Sequence, residues 1–311
     1  MQLKPTFVLP VLLAACASSS HLPSRTTTSP VLALPGATFY PESLGVAADG
    51  TLYVGSLGGG GIVRLGPSSE TAAPFVASGK NIAGVYVDDD ARLLYACEND
   101  FAAQPAVPPR VVAYRLSDGG EAASYGFPQG GVCNDLAIGP ARRLYVTDSA
   151  GRIYVLPPGG RALAVFSTDA QLAPSSASGF GADGIVWDGD ATLYVNTFSD
   201  ARLLRIAVQA DGTAGTVTSI AVTPALQSPD GMRLSERGTL IVAEGAGRIT
   251  EVSLQGNAAT GKVLADGLDS PTSVVVTDGA YFATEGQLGY FLGLLEGAPA
   301  LPFDVRRIVA R

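Results

Sequence analysis

The sequence predicts an all-β fold that closes into a ring, and three observations lead to this prediction. First, a phrase related to Leu-Tyr-Val recurs every 41 to 50 residues, and its copies centre on Tyr53, Tyr95, Tyr145, Tyr194, Ile241 and Phe282. Second, a tight polar turn such as Asp49-Gly50 joins each copy to a preceding apolar segment, as between antiparallel strands. Third, two more strand-like segments follow most copies. Four antiparallel strands in a unit of roughly 40–50 residues are typical of a propeller blade, so six units predict a six-bladed β-propeller.

Each unit supplies its strands in the same order. The first is an apolar run such as Leu136–Ile138, and the repeated phrase forms the second. A third segment carries a basic residue among apolar neighbours, as in Arg110–Tyr114, and a fourth resembles Ala162–Phe166. These lengths fit ordinary β-strands.

The last unit offers only three segments of this kind: Ser273–Thr277, Ala280–Thr284 and Phe303–Val309. Residues 31–35 resemble the fourth segment of the preceding unit, so we expect them to pair beside Phe303–Val309. Because each blade buries its faces only against its neighbours, this N-terminal strand would close the ring. Residues 31–311 then form one propeller, with Gln287–Leu301 as an insertion.

The first 16 residues predict a lipoprotein signal peptide. Lys4 precedes the apolar stretch Phe7–Ala15, which is too short to span a bilayer. The stretch ends in Leu-Ala-Ala-Cys16, which looks like a bacterial lipobox whose cysteine becomes lipidated. The alternative is an ordinary secretory signal in which Cys16 is incidental.

Residues 17–30 are polar and predict a flexible tether. We therefore expect an exported protein, anchored by lipid in the bacterial cell envelope. Ala17 rather than an acidic residue follows the cysteine, which favours the periplasmic side of the outer membrane. No other run is long enough to span a membrane, so the lipid would be the only membrane contact.

The composition excludes several classes of function. The formal net charge is −8, which argues against a nucleic-acid partner. The single histidine, His21, lies in the predicted tether. Ser-His-Asp triads and histidine-ligated zinc are therefore excluded for the folded domain. Its chemistry must use carboxylates, amides, hydroxyls or a metal held by oxygen.

Polar residues open most of the predicted first strands, which line the central channel. The six residues expected around its mouth are Glu42, Ile82, Asn134, Asp183, Asp230 and Thr272. Oxygen donors without histidine or cysteine suit a hard cation such as Ca²⁺. Three carboxylates at one point without a cation would repel one another and raise each other's pKa. The alternative is that Asp and Asn simply cap turns here.

A second ring is predicted from the ends of the second strands: Ser56, Glu98, Asp148, Thr197, Glu244 and Glu285. These residues either border the site or make structural hydrogen bonds. Three loops should lie over the same face and set specificity: Gly58–Gly61, Asn99–Pro109 and Ser167–Gly181. Cys97 and Cys133 either form a disulfide or fill the core separately.

The motifs that open four of the units resemble a known family. Glu42-Ser43, Asn134-Asp135, Asp183-Gly184 and Pro229-Asp230-Gly231 look like the senescence-marker-protein, gluconolactonase and luciferin-regenerating-enzyme family. The resemblance spans roughly residues 36–311. It implies a six-bladed propeller with one divalent cation held by Glu42, Asp183 and Asp230. It also implies that Asn134 contacts substrate or a metal-bound water.

Two departures from the family bear on the substrate. Members usually carry Asn at the position of Asp183, so this site is more anionic. Sugar lactonases have an arginine where this chain has Val132, and that arginine holds the polar substrate, which disfavours gluconolactone itself.

We therefore expect a small-molecule hydrolase that opens a cyclic ester with the help of a divalent metal, with calcium as the expected ion. Asp230 would accept a proton from the attacking water. The alternative is a non-catalytic propeller that binds a ligand or a protein partner, with any metal purely structural.

Overall fold

A computed structural model describes residues 27–102, 104–277 and 279–309, and these residues form an almost entirely β structure. The first half contains the strands β1 (Thr27–Ala33), β2 (Pro41–Val46), β3 (Leu52–Ser56), β4 (Ile62–Leu65), β5 (Ala73–Val76), β6 (Asn81–Asp88), β7 (Leu93–Asn99), β8 (Arg110–Arg115), β9 (Glu121–Gly126), β10 (Cys133–Ile138), β11 (Leu144–Asp148), β12 (Arg152–Leu156) and β13 (Ala164–Ser167).

The second half contains β14 (Ala182–Trp187), β15 (Thr192–Thr197), β16 (Arg202–Val208), β17 (Ala214–Thr223), β18 (Pro229–Leu234), β19 (Leu240–Glu244), β20 (Arg248–Gln255), β21 (Ala258–Ala265), β22 (Pro271–Thr277), β23 (Ala280–Glu285), the short helix α1 (Leu288–Phe291) and β24 (Asp304–Val309). Short 3₁₀ turns lie at Pro140–Arg142 and Ala170–Leu172.

Hydrogen bonds join these strands into five sheets. Four sheets have four strands each, in the orders β2-β3-β4-β5, β6-β7-β8-β9, β10-β11-β12-β13 and β1-β24-β23-β22. The fifth has eight strands, because β17 and β21 pair in parallel through residues 221–223 and 258–260. Every other pairing is antiparallel among the strands described.

The strands are arranged as a propeller. The innermost strands β2, β6, β10, β14, β18 and β22 contact one another in that cyclic order, and β22 returns to β2. Six buried apolar clusters lie between successive groups of strands. The predicted all-β propeller is confirmed at this level. Over the described residues, no helix is long and apolar enough to cross a membrane.

The N-terminal strand closes the last sheet, as predicted, although its bounds differ. β1 pairs with β24 from Thr27 opposite Val309 to Ala33 opposite Asp304. The sheet therefore begins within the predicted tether, at Thr27, four residues before the predicted strand start at Val31. The reason is that β24 offers backbone N–H and C=O groups along its whole length, and pairing satisfies them. The predicted signal peptide, with Lys4 and Cys16, and the tether residue His21 lie outside the described residues.

Candidate functional site

The predicted channel-mouth residues occupy equivalent places in the structure. Each is the second residue of an innermost strand: Glu42 in β2, Ile82 in β6, Asn134 in β10, Asp183 in β14, Asp230 in β18 and Thr272 in β22. The pairing register of every one of these strands shifts within its first few residues. Such β-bulges re-aim side chains and are frequent beside functional sites.

Glycine makes these bulges compatible with close packing of neighbouring innermost strands. A Cβ on Gly184 would lie 2.5 Å from the carbonyl oxygen of Asp230, and one on Gly84 would lie 2.2 Å from that of Asn134. Only a residue without a side chain fits such an approach. In the pairs Asp183-Gly184 and Asp230-Gly231, the acid supplies the polar side chain and the glycine allows the neighbouring strand to approach closely.

Side chains of the second strands fix the backbone of the bulges from behind. The Thr147 hydroxyl donates to the carbonyl oxygen of Asp183 at 2.5 Å. The Asn196 side-chain amide donates to that of Asp230 at 2.6 Å, and its Oδ1 accepts from the amide of Gly184 at 3.1 Å. All three partners are buried or nearly so. Neither Thr147 nor Asn196 was predicted from the sequence, although each directly follows a Tyr-Val phrase of the repeat.

Four of the predicted residues line one cavity of about 540 Å³: Glu42, Asn134, Asp183 and Asp230. Asn134 donates from Nδ2 to Asp183 Oδ2 and to Ser149 Oγ, each at 3.0 Å. The structure therefore brings the three acids and the amide together, whereas Ile82 is buried in an apolar cluster. Thr272 instead bonds the carbonyl oxygen of Pro41 at 3.1 Å.

Burial dominates the electrostatics of the three acids. The pKa of Asp183 is raised to about 7, chiefly by loss of solvation, and the negative charge of Asp135 contributes to this rise. Burial also raises the pKa of Glu42 and that of Asp230 well above their usual values, with repulsion from Asp183 as the next cause for both. Like charges at close range in a poorly solvated place disfavour ionisation. The acids therefore need protons or a cation.

The three acids offer oxygen donors to a metal ion. Asp183 Oδ1 is buried and has no hydrogen-bond partner. The Asp230 carboxyl can donate to Asp183 only while it holds a proton. As the side chains lie, no group of three or more His, Cys, Asp or Glu residues within the described ranges could hold a metal ion. The chemistry of the donors, all oxygens and one of them unpartnered, fits a hard divalent cation.

An ion pair lies beneath the acids and spans the channel. Arg233 on β18 donates from Nη1 to Asp135 Oδ2 on β10 at 2.9 Å, and from Nη2 to the carbonyl oxygen of Val85 on β6 at 3.3 Å. Its positive charge partly offsets the raised pKa of Glu42. A second cavity of about 330 Å³ opens at the other end of the channel, and none of the predicted site residues lines it. This bridge was not predicted from the sequence.

The second predicted ring is structural. Each of its four acids pairs with an arginine from the adjacent strand of its own sheet: Glu98 with Arg110, Asp148 with Arg152, Glu244 with Arg248, and Glu285 with Arg306. The N···O distances are 2.6–2.8 Å. The Thr197 hydroxyl accepts from the amide of Arg202, and Ser56 donates to the carbonyl oxygen of Phe39. These contacts hold the strand ends and leave the acids unavailable to the cavity.

Cys97 and Cys133 form a disulfide with a Cα–Cα distance of 5.2 Å. It joins the end of β7 to the start of β10. Asn99 reinforces the junction, because its amide donates to the carbonyl oxygen of Cys133 at 2.8 Å and its Oδ1 accepts from the Cys133 amide at 3.0 Å. The disulfide therefore fixes the residue next to Asn134.

Apolar side chains form the walls of the cavity above the acids. Phe101 comes from the loop after β7, and Phe180 comes from the loop before β14. The insertion contributes Leu288, Phe291 and Leu292 around the short helix α1. Two of the three loops predicted over this face thus line the cavity. We call this space, bounded by the acids below and the aromatic rings above, the vestibule.

Comparison with known proteins agrees with this architecture. The profile of the strictosidine synthase-like N-terminal family matches residues 29–65. Comparison with curated proteins gives no match. The family match is confined to this short stretch of the chain.

Several solved structures share the fold over nearly the whole chain. A gluconolactonase from Xanthomonas campestris has a TM-score of 0.68 at 16% identity, covering 93% of this chain and 91% of that one. A luciferin-regenerating enzyme has 0.68 at 15%, covering 92% and 95%. The PQQ-bound aldose sugar dehydrogenase from Streptomyces coelicolor has 0.61 at 15%, covering 93% and 99%. At these identities the likeness shows the propeller fold alone.

Proposed function

We propose that this protein is a metal-dependent hydrolase that opens the ring of a small cyclic ester. The observation that carries the proposal is the set of three buried carboxylates at the floor of the vestibule, with one oxygen of Asp183 unpartnered. Such a set is costly to bury unless a cation or protons balance its charge. Structural likeness to a gluconolactonase and a luciferin-regenerating enzyme supports a small-molecule role.

The proposal includes a count of six blades. The cyclic contacts among six innermost strands and the six apolar clusters between them support it. The eight-stranded sheet then consists of two blades joined at their outer edges by β17 and β21. This count agrees with the resemblance to the senescence-marker-protein and gluconolactonase family.

Glu42, Asp183 and Asp230 would hold one divalent cation, and calcium suits their hard oxygen donors. When bound, the cation would polarise the ester carbonyl and stabilise the developing oxyanion. Asn134 donates to both Asp183 and Ser149, so it holds that carboxylate in place, and it lines the vestibule where it would contact substrate or a metal-bound water. Asp230 would accept the proton of the attacking water.

The test is metal analysis together with hydrolysis of a lactone panel, with and without chelator. The expected result is turnover that chelator abolishes and calcium restores. Asp230→Asn should lose both metal and turnover, whereas the matched variant Asp190→Asn, at an exposed turn, should keep both. Bound metal without turnover of any lactone would show a structural cation and refute the hydrolase.

A second candidate is a non-catalytic propeller that binds a ligand or partner through the same face. Aromatic side chains at the vestibule favour it, because Phe101 is 44% exposed and Phe180 37% exposed. Absence of both metal and turnover, with retained ligand binding, would establish this role instead.

The proposal also places the protein in the cell envelope, lipidated at Cys16 on the periplasmic side of the outer membrane. The lipobox in the sequence supports it. Cys16→Ser should move the protein out of the membrane fraction or leave the signal uncut. A membrane-bound pool of unchanged size would refute the anchor.

A further inference from the structure

The upper walls of the vestibule are apolar on several sides. Phe101 and Phe291 approach with ring centroids 6.4 Å apart, and Phe180 and Phe198 approach at 6.4 Å in an edge-to-face arrangement. These pairs come from different loops, so aromatic surface bounds the space from more than one direction. Leu292, at 45% exposed, adds to the rim.

Hydrogen bonds fix the loops that carry these rings. The Phe101 amide donates to Asn81 Oδ1 at 3.0 Å, and the neighbouring Asp100 carboxylate pairs with Lys80 at 2.8 Å. The Phe180 amide donates to Ser199 Oγ at 2.8 Å. Backbone hydrogen bonds from Phe101 and Phe180 to side chains of neighbouring segments thus hold both rings in partly exposed positions. Clustered exposed apolar surface of this kind marks a binding site.

A clamp holds the insertion in the same way. The side-chain amide of Gln287 donates to the carbonyl oxygen of Ala300 at 2.9 Å, and Gln287 Oε1 accepts from the Ala300 amide at 2.7 Å. Gln287 is buried, so the two ends of the insertion are fixed to each other. Phe291 also packs on Tyr40, with centroids 5.4 Å apart.

The vestibule offers few polar partners above its floor. Among the described residues that line it, the only polar side chain besides Glu42, Asn134, Asp183 and Asp230 is that of Ser270. A hydroxylated sugar ring loses hydrogen bonds to water on entry and needs a protein partner for each hydroxyl. A wall of phenylalanine and leucine cannot provide them, whereas it gains from burying alkyl or aryl surface.

We infer that the substrate is a lactone whose ring carries an apolar alkyl or aryl substituent, with the ring at the acids and the substituent among the phenylalanines. This inference rests on the proposed hydrolase and narrows its substrate class. The cavity of about 540 Å³ is large enough for a small ring together with such a substituent.

The experiment compares lactones of one ring size that carry no chain or alkyl chains of increasing length, together with gluconolactone. For the calcium-loaded protein, kcat/KM should rise about three- to fourfold for each added methylene until the space is filled. Phe101→Ser and Phe180→Ser should each flatten this dependence. The control Leu294→Ser should retain it, because Leu294 is exposed outside the vestibule. Faster hydrolysis of gluconolactone, or a flat dependence in the unmodified protein, would overturn the inference.

A binding measurement separates failure of this inference from failure of the hydrolase. Lactams with the same chains, which resist hydrolysis, are titrated by calorimetry. If no lactone is hydrolysed but lactam Kd falls with chain length and rises in Phe180→Ser, the hydrolase is refuted and the apolar site stands. If chain length does not change lactam Kd, the apolar site is refuted whether or not lactones are hydrolysed. Melting curves of the variants confirm that they are folded.

Discussion

Asp183 is an acidic residue that is buried and only partly hydrogen-bonded. Its Oδ2 accepts from Asn134, but its buried Oδ1 has no partner. Burial and the charge of Asp135 both oppose its ionisation. An amide in the same place would be neutral, and its NH₂ group could donate to Asp230. An aspartate here therefore favours cation binding and lowers the stability of the protein without a cation.

We predict opposite effects of Asp183→Asn on the two states of the protein. In excess chelator the variant should be more stable than the unmodified protein by about 1–3 kcal/mol, because an unsatisfied buried charge is removed. With saturating calcium this advantage should shrink or reverse, since binding stabilises the unmodified protein more. Melting curves in both conditions provide the measurement. A variant that is less stable in chelator would contradict the argument, and Asp190→Asn serves as the neutral control.

The candidate residues could be found from the sequence because the repeats align them. Each candidate is the second residue of an innermost strand: Glu42, Asn134, Asp183 and Asp230. The order of the repeated motifs was therefore enough to predict that they share one end of the channel. Thr147, Asn196 and the Arg233–Asp135 bridge were missed because their partners lie on other blades. A side chain that bonds across the ring leaves no spacing signal along the chain.

At the scale of elements, the bulge is the device that places the acids. Where the register shifts in β14 and β18, the residue after the acid is glycine, and its neighbour strand approaches closely. The repeats predicted the inner strands well, since alternation and turns set their bounds. The parallel contact of β17 with β21 and the four-residue helix α1 were not predictable, because outer-edge pairing and a single helical turn leave no periodic pattern.

We predict that Gly184→Ala disturbs the site through the backbone. Its Cβ would lie 2.5 Å from the carbonyl oxygen of Asp230 and 2.9 Å from the Asn196 side-chain nitrogen. Overpacking of this kind lowers stability by about 1–3 kcal/mol and should displace Asp230. Denaturant midpoints and calcium titrations measure the two effects. Gly126→Ala is the matched control, because nothing lies within 4 Å of its Cβ position. Equal behaviour of the two variants would refute the role of the close approach.

We also predict that stability depends on pH through Asp304 in β24, away from the candidate site. The pKa of Asp304 is raised to about 6, chiefly by burial and next by a hydrogen bond with Glu285. Arg306 lies 2.6 Å from Glu285 Oε2 and 3.0 Å from Asp304 Oδ1. A raised carboxyl pKa means that the folded state holds the proton more tightly than the unfolded chain. Its contribution to stability is present at low pH and is lost as pH rises through about 6.

Asp304→Asn removes this titration while Arg306 keeps its pair with Glu285. The difference in melting temperature, variant minus unmodified protein, should therefore become more positive between pH 4 and pH 8. Thermal melts across this range test it. A difference that stays constant with pH, or becomes more negative, would show that Asp304 does not titrate with a raised pKa.

At the scale of the whole molecule, the ring is closed by strands from opposite ends of the chain. β1 is the outermost strand of the sheet that contains β22, β23 and β24, and the chain then runs on to β2. Leu32 and Leu34 are buried in the cluster between these two groups of strands, together with Phe303 and Val305. Closure therefore combines backbone pairing, apolar burial and a covalent connection between the first and last units.

These contributions can be separated by rearranging the chain. Thr27 lies opposite Val309, so a permuted protein could carry residues 27–33 after residue 311 through a short turn. It would retain the pairing and the burial of Leu32 but lose the covalent connection to β2. We expect it to fold with a lower melting temperature than the unmodified protein. Deletion of residues 27–34 should cost more, because two buried leucines alone contribute about 3–6 kcal/mol. Denaturant unfolding of the unmodified, permuted and truncated proteins measures the order of their stabilities. If the permuted chain were no more stable than the deletion, the covalent connection rather than the strand would be what closes the ring.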